Sequence, residues 1–459
     1  MTRTAAELVR SDHEHLIHGL HHPIDHKEPI IYVRGRGATI EDIHGHEYID
    51  GLSGLWNVNV GHGRSELADS AATQMKELAY FSGYIGSSSV PAITLADRLI
   101  EIGPNMQAVF FTSGGAEANE SAFKTARFYW KAYGKPEKIK VIARDEGYHG
   151  VTLQAMSATK IGSYWKMFEP RVPGFVHIQT CYPYRFQGAR PGETIGQAAA
   201  RALEEAILRE GPDSVAAFIG EPIHGAGGVF YPTDDYWPRV REICTRYNVL
   251  LIADEIITGF GRTGRWFGLS HWGVTPDIVS FAKGVTSGYL PLGGMMVSRA
   301  IKEMMDSVKP ENRWMHAYTY SAHPTCCAVA VVNLDIIERE QLCARSDAMG
   351  QRLHKALIAH FGEHPNVGDI RGGKGLLAAV EFVEDRATKT NFPGDRKIAP
   401  RLQAEMMKRG VVTRTRPAAG VHPAPGDAVF FAPPLVVTEA EVDRLVDVCA
   451  ESFRAVLGS

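Results

Sequence analysis

Short apolar runs alternate with amphipathic stretches from residue 64 to about residue 325 of the chain. Apolar runs of about four to eight residues, bounded by turn residues, are typical of buried strands in a parallel sheet. The stretches between them repeat apolar residues at helical spacing. This alternation predicts a large α/β domain built around a mostly parallel sheet.

The clearest unit of this pattern lies between residues 108 and 133. Ala108–Thr112 is predicted as a strand, Ser113–Ala116 as a tight glycine turn, and Glu117–Tyr133 as a helix. Free backbone N–H groups and the helix dipole make such a turn a natural site for an anion. The turn matches neither the P-loop nor the dinucleotide-binding pattern, and taken alone it is a weak signal.

Several later strands are followed directly by residues that carry chemistry. Tyr148 and His149 follow Val141–Arg144, Glu221 follows Val215–Gly220, Asp254 follows Val249–Ala253, and Lys283 ends the run that begins at Asp277. Loops at the carboxyl ends of parallel strands are where α/β proteins bind ligands. The alternatives are an ordinary surface lysine, carboxylates that cap helices, and a packed aromatic turn.

The two ends of the chain differ in pattern from its middle. Residues 30–34 and 47–51 are predicted as strands, and residues 330–459 as a small αβ domain. We therefore expect three segments: residues 1–63 as part of the small domain, 64–329 as the large domain, and 330–459 as the C-terminal small domain. Leu55 and Trp56 stand between glycines and are either core residues or walls of a pocket.

Composition narrows the classes of function. The net charge of −3 gives no electrostatic footprint for nucleic acid or for an anionic membrane. We interpret the six cysteines as free thiols.

No stretch approaches the ~20 apolar residues of a membrane span, and the N-terminus has no apolar core, so we expect a cytoplasmic protein. Six histidines within residues 13–26 could suggest a metal site, but no cysteine or carboxylate cluster accompanies them, and we expect no metal.

Together, these parts are what a pyridoxal phosphate site requires. The phosphate needs a helix N-terminus, and the pyridine ring needs a stacking face such as Tyr148 or His149. The ring nitrogen needs an anion such as Asp254 to remain protonated. The aldehyde needs an amine such as that of Lys283.

On seven blocks in the family's order, the chain resembles the class III aminotransferases, pyridoxal phosphate enzymes of fold type I, over nearly its whole length. These blocks are Ser113–Asn119, Tyr148–Thr152, Gly220–Gly228, Ala253–Gly264, Phe281–Gly284, Tyr318–Pro324 and Ala432–Leu435. Leu55–Arg64 is similar to the ω-amino acid and amine:pyruvate branch. The resemblance implies an α/β fold with a mostly parallel seven-stranded sheet and a small α+β domain built from both termini.

The resemblance also implies roles for residues around the cofactor. Lys283 would form the Schiff base with the cofactor and shuttle a proton, and Asp254 would pair with the pyridine nitrogen. Tyr148 and Ile256 would lie on the two ring faces. Further cofactor contacts would come from Ser113, Gly115, Ala116, His149, Glu221 and Thr319. Thr319 would reach the phosphate of the partner subunit, which implies a homodimer with active sites at the interface, or a tetramer built from such dimers.

For the substrate, the resemblance implies that Arg414 grips a carboxylate, with Arg416 as the alternative because residues 417–427 are longer than the family pattern. Leu55, Trp56 and Tyr84 would be pocket walls. The implied reaction is a ping-pong transfer of an amino group from a primary amine or ω-amino acid to a keto acid, pyruvate. The alternatives are an aminomutase, a decarboxylase or a relative that only binds the cofactor. The sequence leaves open whether the donor is taurine, β-alanine, putrescine or an aryl amine.

Overall fold

The computed structural model describes residues 3–24, 28–420 and 424–458. His26, part of the histidine-rich segment, lies outside these ranges. The strands are β1 Tyr32–Arg36, β2 Thr39–Asp42, β3 Glu47–Asp50, β4 Ala108–Thr112, β5 Lys140–Arg144, β6 Phe175–Ile178, β7 Val215–Gly220, β8 Leu250–Asp254, β9 Ile278–Phe281, β10 Gly293–Val297, β11 Val367–Arg371, β12 Ala378–Phe382, β13 Val411–Val412, β14 Arg414–Arg416 and β15 Asp427–Phe431. The helices are α1 Ala5–His15, α2 Ser53–Trp56, α3 Ser65–Leu78, α4 Val90–Ile102, α5 Gly115–Ala132, α6 Leu153–Ala158, α7 Ile195–Glu210, α8 Tyr236–Arg246, α9 Arg299–Ser307, α10 Pro324–Arg339, α11 Leu342–Phe361, α12 Ile398–Lys408 and α13 Glu439–Leu457.

A seven-stranded sheet forms the centre of the molecule, with strand order β4-β10-β9-β8-β7-β5-β6. Strand β10 runs antiparallel to both of its neighbours, and the other six strands are parallel to one another. The predicted α/β fold with a mostly parallel seven-stranded sheet is therefore confirmed. Because the six strands are parallel, their carboxyl ends meet at one edge of the sheet.

Successive residues of the central strands face opposite cores. On β8, Leu250 and Ile252 pack with α5, whereas Leu251 and Ala253 pack into the larger core on the other face. Each face is thus covered by apolar side chains, which explains why these strands have continuous apolar sequences rather than alternating ones.

Strands from both ends of the chain combine in the smaller part of the molecule. β13 near the C-terminus pairs in parallel with β3 near the N-terminus, in a sheet of order β1-β2-β3-β13. A third sheet has order β11-β12-β15-β14 and carries Arg414 and Arg416 on its edge strand. The predicted small domain built from both termini is thereby confirmed, while the three segment boundaries stay a prediction.

Two local differences from the sequence prediction affect the site. Helix α5 begins at Gly115 rather than Glu117, so Gly115 and Ala116 belong to its first turn. Strand β9 ends at Phe281, and Lys283 follows in a turn with a left-handed φ of +46°. The sequence also missed strand β2, which pairs with both β1 and β3.

The six cysteines are free thiols, as predicted. Within residues 3–24, 28–420 and 424–458, no group of three or more His, Cys, Asp or Glu side chains could hold a metal ion. No helix in the same ranges has the length and apolar character that crossing a bilayer requires.

Candidate active site

A cavity of about 170 Å³ opens where the parallel strands end. The loops after β5, β7, β8 and β9 and the first turn of α5 contribute to its wall. Eight of the ten predicted cofactor residues line it together: Gly115, Ala116, Tyr148, His149, Glu221, Asp254, Ile256 and Lys283. The parallel sheet thus brings together residues that lie up to 168 positions apart in the chain, from Gly115 to Lys283.

Lys283 lies half-buried in this cavity. Burial lowers the pKa of its amine, and the positive charge of Arg414 acts in the same direction, while Asp254 and Glu221 oppose the shift. A lowered pKa increases the fraction of neutral amine near neutral pH, and the neutral amine is the form that acts as a nucleophile or base.

Asp254 is 2% exposed and is held by three hydrogen bonds. Its Oδ2 accepts from Asn119 Nδ2 at 2.9 Å and pairs with His149 Nδ1 at 2.7 Å, and its Oδ1 accepts from the Ile256 N–H at 3.2 Å. These partners fix the carboxylate in one orientation. A buried, oriented carboxylate is suited to hold a proton on a ring nitrogen placed against it.

His149 does not have the surroundings that the sequence suggested. We expected it as one of two aromatic rings available for stacking, but its ring is 2% exposed and is bonded to Asp254. The hydrogen bond between the His149 ring and the buried Asp254 carboxylate stabilises this position more strongly than contact with an apolar surface would. No role was predicted for Asn119, although it lies in the block Ser113–Asn119; an asparagine directly after Ala118, the first of the helically spaced apolar positions, was the available signal.

The first turn of α5 forms one wall of the cavity and lies close to Ile256. A Cβ atom at Gly115 would lie 2.8 Å from Ile256 Cδ1, so only glycine leaves room there without displacing Ile256. The backbone N–H groups at the start of the helix have no partner within the helix and can bind an anion. Ser113 lies just before this turn, where its N–H donates to Glu117 Oε2 at 2.8 Å.

Tyr148 and Glu221 are joined to each other. Glu221 is 3% exposed, and its carboxylate accepts from the Tyr148 N–H at 3.1 Å and from the Gly225 N–H at 2.7 Å. Glu221 was predicted as a cofactor contact; it lines the cavity, and its carboxylate binds these backbone N–H groups. The ring of Tyr148 lies against that of Tyr164, with 5.3 Å between centroids.

The predicted substrate residues lie at different depths. Trp56 is buried and packs against Phe430, whereas Leu55 and Tyr84 are exposed. The guanidinium of Arg414 lies over the Trp56 ring, 5.5 Å from its centroid. Trp56 is thus a core residue that contacts the arginine, and the pocket-wall roles of Leu55, Trp56 and Tyr84 stay predictions.

Arg416, the alternative carboxylate-binding residue, is already paired. Its Nη2 donates to Glu146 Oε2 at 2.8 Å, and its Nη1 donates to the Gly227 carbonyl oxygen. Arg414 forms no ion pair within the described residues.

Thr319 is exposed and is not part of the cavity of its own chain; its carbonyl oxygen accepts from the Tyr80 hydroxyl at 2.6 Å.

These residues fit pyridoxal phosphate. The cavity offers an anion-binding helix N-terminus, an apolar wall at Ile256, an oriented carboxylate at Asp254 and an amine with a lowered pKa at Lys283. The glycine at position 115 keeps the first turn of the helix open toward this space. Fold and site together define a pyridoxal phosphate enzyme of fold type I.

Comparisons with known proteins agree. The family model for class-III aminotransferases matches residues 22–453, and the chain belongs to this family of pyridoxal phosphate-dependent enzymes. A diaminobutyrate–2-oxoglutarate transaminase from Halomonas elongata is 40% identical over 92% of this chain and 89% of its own length. A putrescine–pyruvate aminotransferase from Pseudomonas aeruginosa is 37% identical over 92% of this chain and 90% of its own length. The solved structure of an (S)-enantioselective ω-transaminase from Thermomicrobium roseum shares 45% identity and a TM-score of 0.93, with 100% of both chains covered.

Proposed function

We propose that this aminotransferase moves the amino group of a primary amine or ω-amino acid to pyruvate in a ping-pong reaction. The observation that carries this proposal is the position of Arg414, over Trp56 and close enough to Lys283 to influence its pKa, without a carboxylate partner in the described chain. A guanidinium whose charge acts on the reacting amine, and which has no carboxylate partner in the described chain, is suited to bind the carboxylate of a keto acid through two parallel hydrogen bonds.

Pyridoxal phosphate, when bound, supplies the electron sink that lets an amino group leave one carbon and be passed to another. Lys283 binds the cofactor and then moves a proton to and from the substrate carbon, for which its lowered pKa is suited. Asp254, fixed by His149 and Asn119, holds a proton at the ring nitrogen.

The remaining cofactor residues act by binding and orientation. Tyr148 and Ile256 confine the ring between them, and the N–H groups at Gly115 and Ala116, with Ser113 beside them, hold the phosphate. Glu221 fixes the Tyr148 loop through the N–H of Tyr148.

Pyruvate is favoured as acceptor because the second arginine of β14 is not free. Arg416 is paired with Glu146, so only Arg414 is available to a substrate carboxylate among the arginines of this strand. One free cation matches an acceptor with one carboxylate. The relative from P. aeruginosa is named for pyruvate and the relative from H. elongata for 2-oxoglutarate, so the two keto acids are the decisive comparison.

We further propose a cytoplasmic homodimer with active sites at the interface. Two segments that contact each other, residues 75–93 and 315–320, expose many large apolar side chains, among them Phe81, Ile85, Val90, Met315 and Tyr320. Contiguous exposed apolar surface of this kind is characteristic of protein interfaces. Thr319 lies in this surface, where it would reach the cofactor phosphate of a partner subunit.

The test is an exchange assay on the purified holoenzyme. Putrescine, taurine, β-alanine and an aryl amine are each combined with pyruvate or 2-oxoglutarate, and alanine or glutamate formation is measured as both substrates vary. Ping-pong transfer gives parallel double-reciprocal lines, and we expect alanine formation to exceed glutamate formation. A product that forms without any keto acid would instead indicate a decarboxylase or an aminomutase, and preferred glutamate formation would overturn the proposed acceptor.

A further inference from the structure

Arg414 and Arg416 extend to the same face of β14 because residues two apart on a strand share a face. Thr415 points the other way, and its hydroxyl donates to Gln403 Oε1 at 2.9 Å. Both arginines border a second cavity of about 800 Å³ beside the active site, together with Glu146 and Tyr164. Among the described residues, Arg414 has no ion-pair partner, whereas Arg416 is paired with Glu146.

The contacts of Arg416 join three parts of the fold. Its side chain is 12% exposed and bonds Glu146, in the loop after β5, and the carbonyl of Gly227, in the loop after β7. The first of these loops carries Tyr148, and the second follows Glu221. Glu221 in turn accepts from the N–H groups of Tyr148 and Gly225. Thus one guanidinium connects the strand of Arg414 to two of the loops that line the cofactor cavity, those after β5 and β7.

The backbone around Glu146 has little freedom to move. Its φ of +60° is left-handed, which is strained for a residue other than glycine. A Cβ atom at Gly227 would lie 1.8 Å from the Glu146 carbonyl oxygen, so the two loops touch through their backbones. A strained conformation persists only where its surroundings hold it, and the ion pair with Arg416 is one of the contacts that do so.

We propose that Arg416 and Glu146 form a positioning pair that fixes the Tyr148 loop to the strand carrying Arg414, and so couples cofactor stacking to the binding of the substrate carboxylate. The inference rests on the proposed function for the role of Arg414. Neither residue of the pair touches the reacting atoms. The pair acts through the Tyr148 loop on one side and through β14, which carries Arg414, on the other. It holds β14 in place while the Arg414 side chain moves from one substrate to the next.

The experiment compares Arg416→Gln, Glu146→Gln, the double variant and Arg416→Lys. Three quantities are measured: the cofactor dissociation constant, by quenching of tryptophan fluorescence as pyridoxal phosphate is added to the apoprotein; KM for pyruvate and for the amine; and Tm. The matched controls are Arg201→Gln and Glu193→Gln, which break an ion pair of similar geometry on the surface between α7 and the loop before it.

We expect Arg416→Gln to raise both the cofactor dissociation constant and KM for pyruvate by about ten-fold, the effect of losing a hydrogen-bonded buried charge pair. The double variant should be no worse than the poorer single variant, because the two residues act as one unit. Arg416→Lys keeps the charge and should recover part of both losses. The control variants should leave both constants within about two-fold of the wild type.

Three outcomes would overturn the pair as a positioning device. One is a lower Tm with both constants unchanged, which would make the pair structural only. Another is full additivity of the single variants. The third is that Arg416→Gln raises KM for pyruvate without changing cofactor binding, while Glu146→Gln lowers KM for pyruvate. That result would make Arg416 a substrate ligand.

If Arg416→Gln does not fold, Arg416→Lys and Glu146→Gln carry the same comparison. Absence of exchange by the wild type would refute the proposed function, while the apoprotein titration would still test the pair.

Discussion

Arg414 and Arg416 are separated by one residue, yet the fold gives them different surroundings. Arg416 is paired with Glu146, and Arg414 lies over Trp56, where a cation is attracted to the aromatic face. That attraction is weaker than an ion pair, so the side chain can leave the ring for a substrate carboxylate. The difference between the two positions comes from their partners and not from residue type.

Substituting Arg414 tests its role at the scale of a single residue. We expect Arg414→Gln to raise KM for pyruvate by about ten- to a hundred-fold, because a charge-assisted hydrogen bond to the carboxylate is lost. KM for a simple amine without a carboxylate should change little. Initial rates at varied pyruvate and varied amine separate the two constants.

Arg414→Lys is the matched control for charge. A lysine keeps the positive charge but binds a carboxylate through one point rather than a planar fork, and it should recover only part of the affinity. Equal losses for pyruvate and for the amine in Arg414→Gln would contradict a carboxylate-binding role.

At the scale of elements, the start of α5 is held in place by the loop after β5. Gly150 has a left-handed φ of +122°, and a Cβ atom there would lie 2.7 Å from the Ala116 Cβ and 3.0 Å from its Cα. The loop that carries Tyr148 and His149 therefore packs directly on the first turn of α5, the turn that faces the cavity. The geometry of the proposed phosphate site depends on this contact between two elements.

Gly150→Ala should displace that first turn and weaken cofactor binding. We expect a dissociation constant about ten-fold higher, because backbone strain and overpacking cost about 1–3 kcal/mol each and part of that cost falls on the phosphate site. Fluorescence titration of the apoprotein measures it. Gly134→Ala is the control: Gly134 also has a left-handed φ, of +73°, but nothing lies within 4 Å of its Cβ position. Cofactor binding equally weak in both variants would show that backbone strain alone, not the contact with α5, is responsible.

The whole molecule exposes apolar side chains where the segments 75–93 and 315–320 meet, and Thr319 lies among them, outside the cavity of its own chain. One chain alone thus leaves a predicted phosphate ligand unused and an apolar surface uncovered. A second copy that covers this surface would account for both features, since homodimer interfaces are more apolar than the remaining surface.

Mixed dimers test this arrangement directly. Lys283→Ala removes the amine from a chain's own site, whereas Thr319→Val should impair the partner's site by about ten-fold. A dimer of one Lys283→Ala chain and one Thr319→Val chain contains one site with neither defect. Refolding the two variants together should therefore restore activity beyond the sum of the separate homodimers, measured as initial rate per chain. No gain, with sedimentation showing that mixed dimers formed, would contradict a shared site.

The sequence by itself determined the type of fold and the chemistry of the site. The limits of β4 and β7 were predicted residue by residue, because continuous apolar runs between turn residues are a local pattern. Lys283, Asp254 and Tyr148 were predicted as site residues because each stands at or just after the end of a strand, and parallel strands end at one edge, where the structure brings the three to one cavity. Predictions of this kind require only the order of the elements along the chain.

Only the tertiary structure decided how polar side chains are paired. His149 and Asn119 are 30 residues apart and meet at Asp254, and Arg416 reaches Glu146 across 270 residues. Such pairings depend on how the loops after β5 and β7 pack against β14, and no local pattern encodes that packing. Burial then makes each pairing obligatory, because a buried polar group without a partner is costly. Within the part of the chain that the structure describes, the fold therefore pairs Arg416 with Glu146 and leaves Arg414 without an ion pair, a difference that the spacing Arg-Thr-Arg could not reveal.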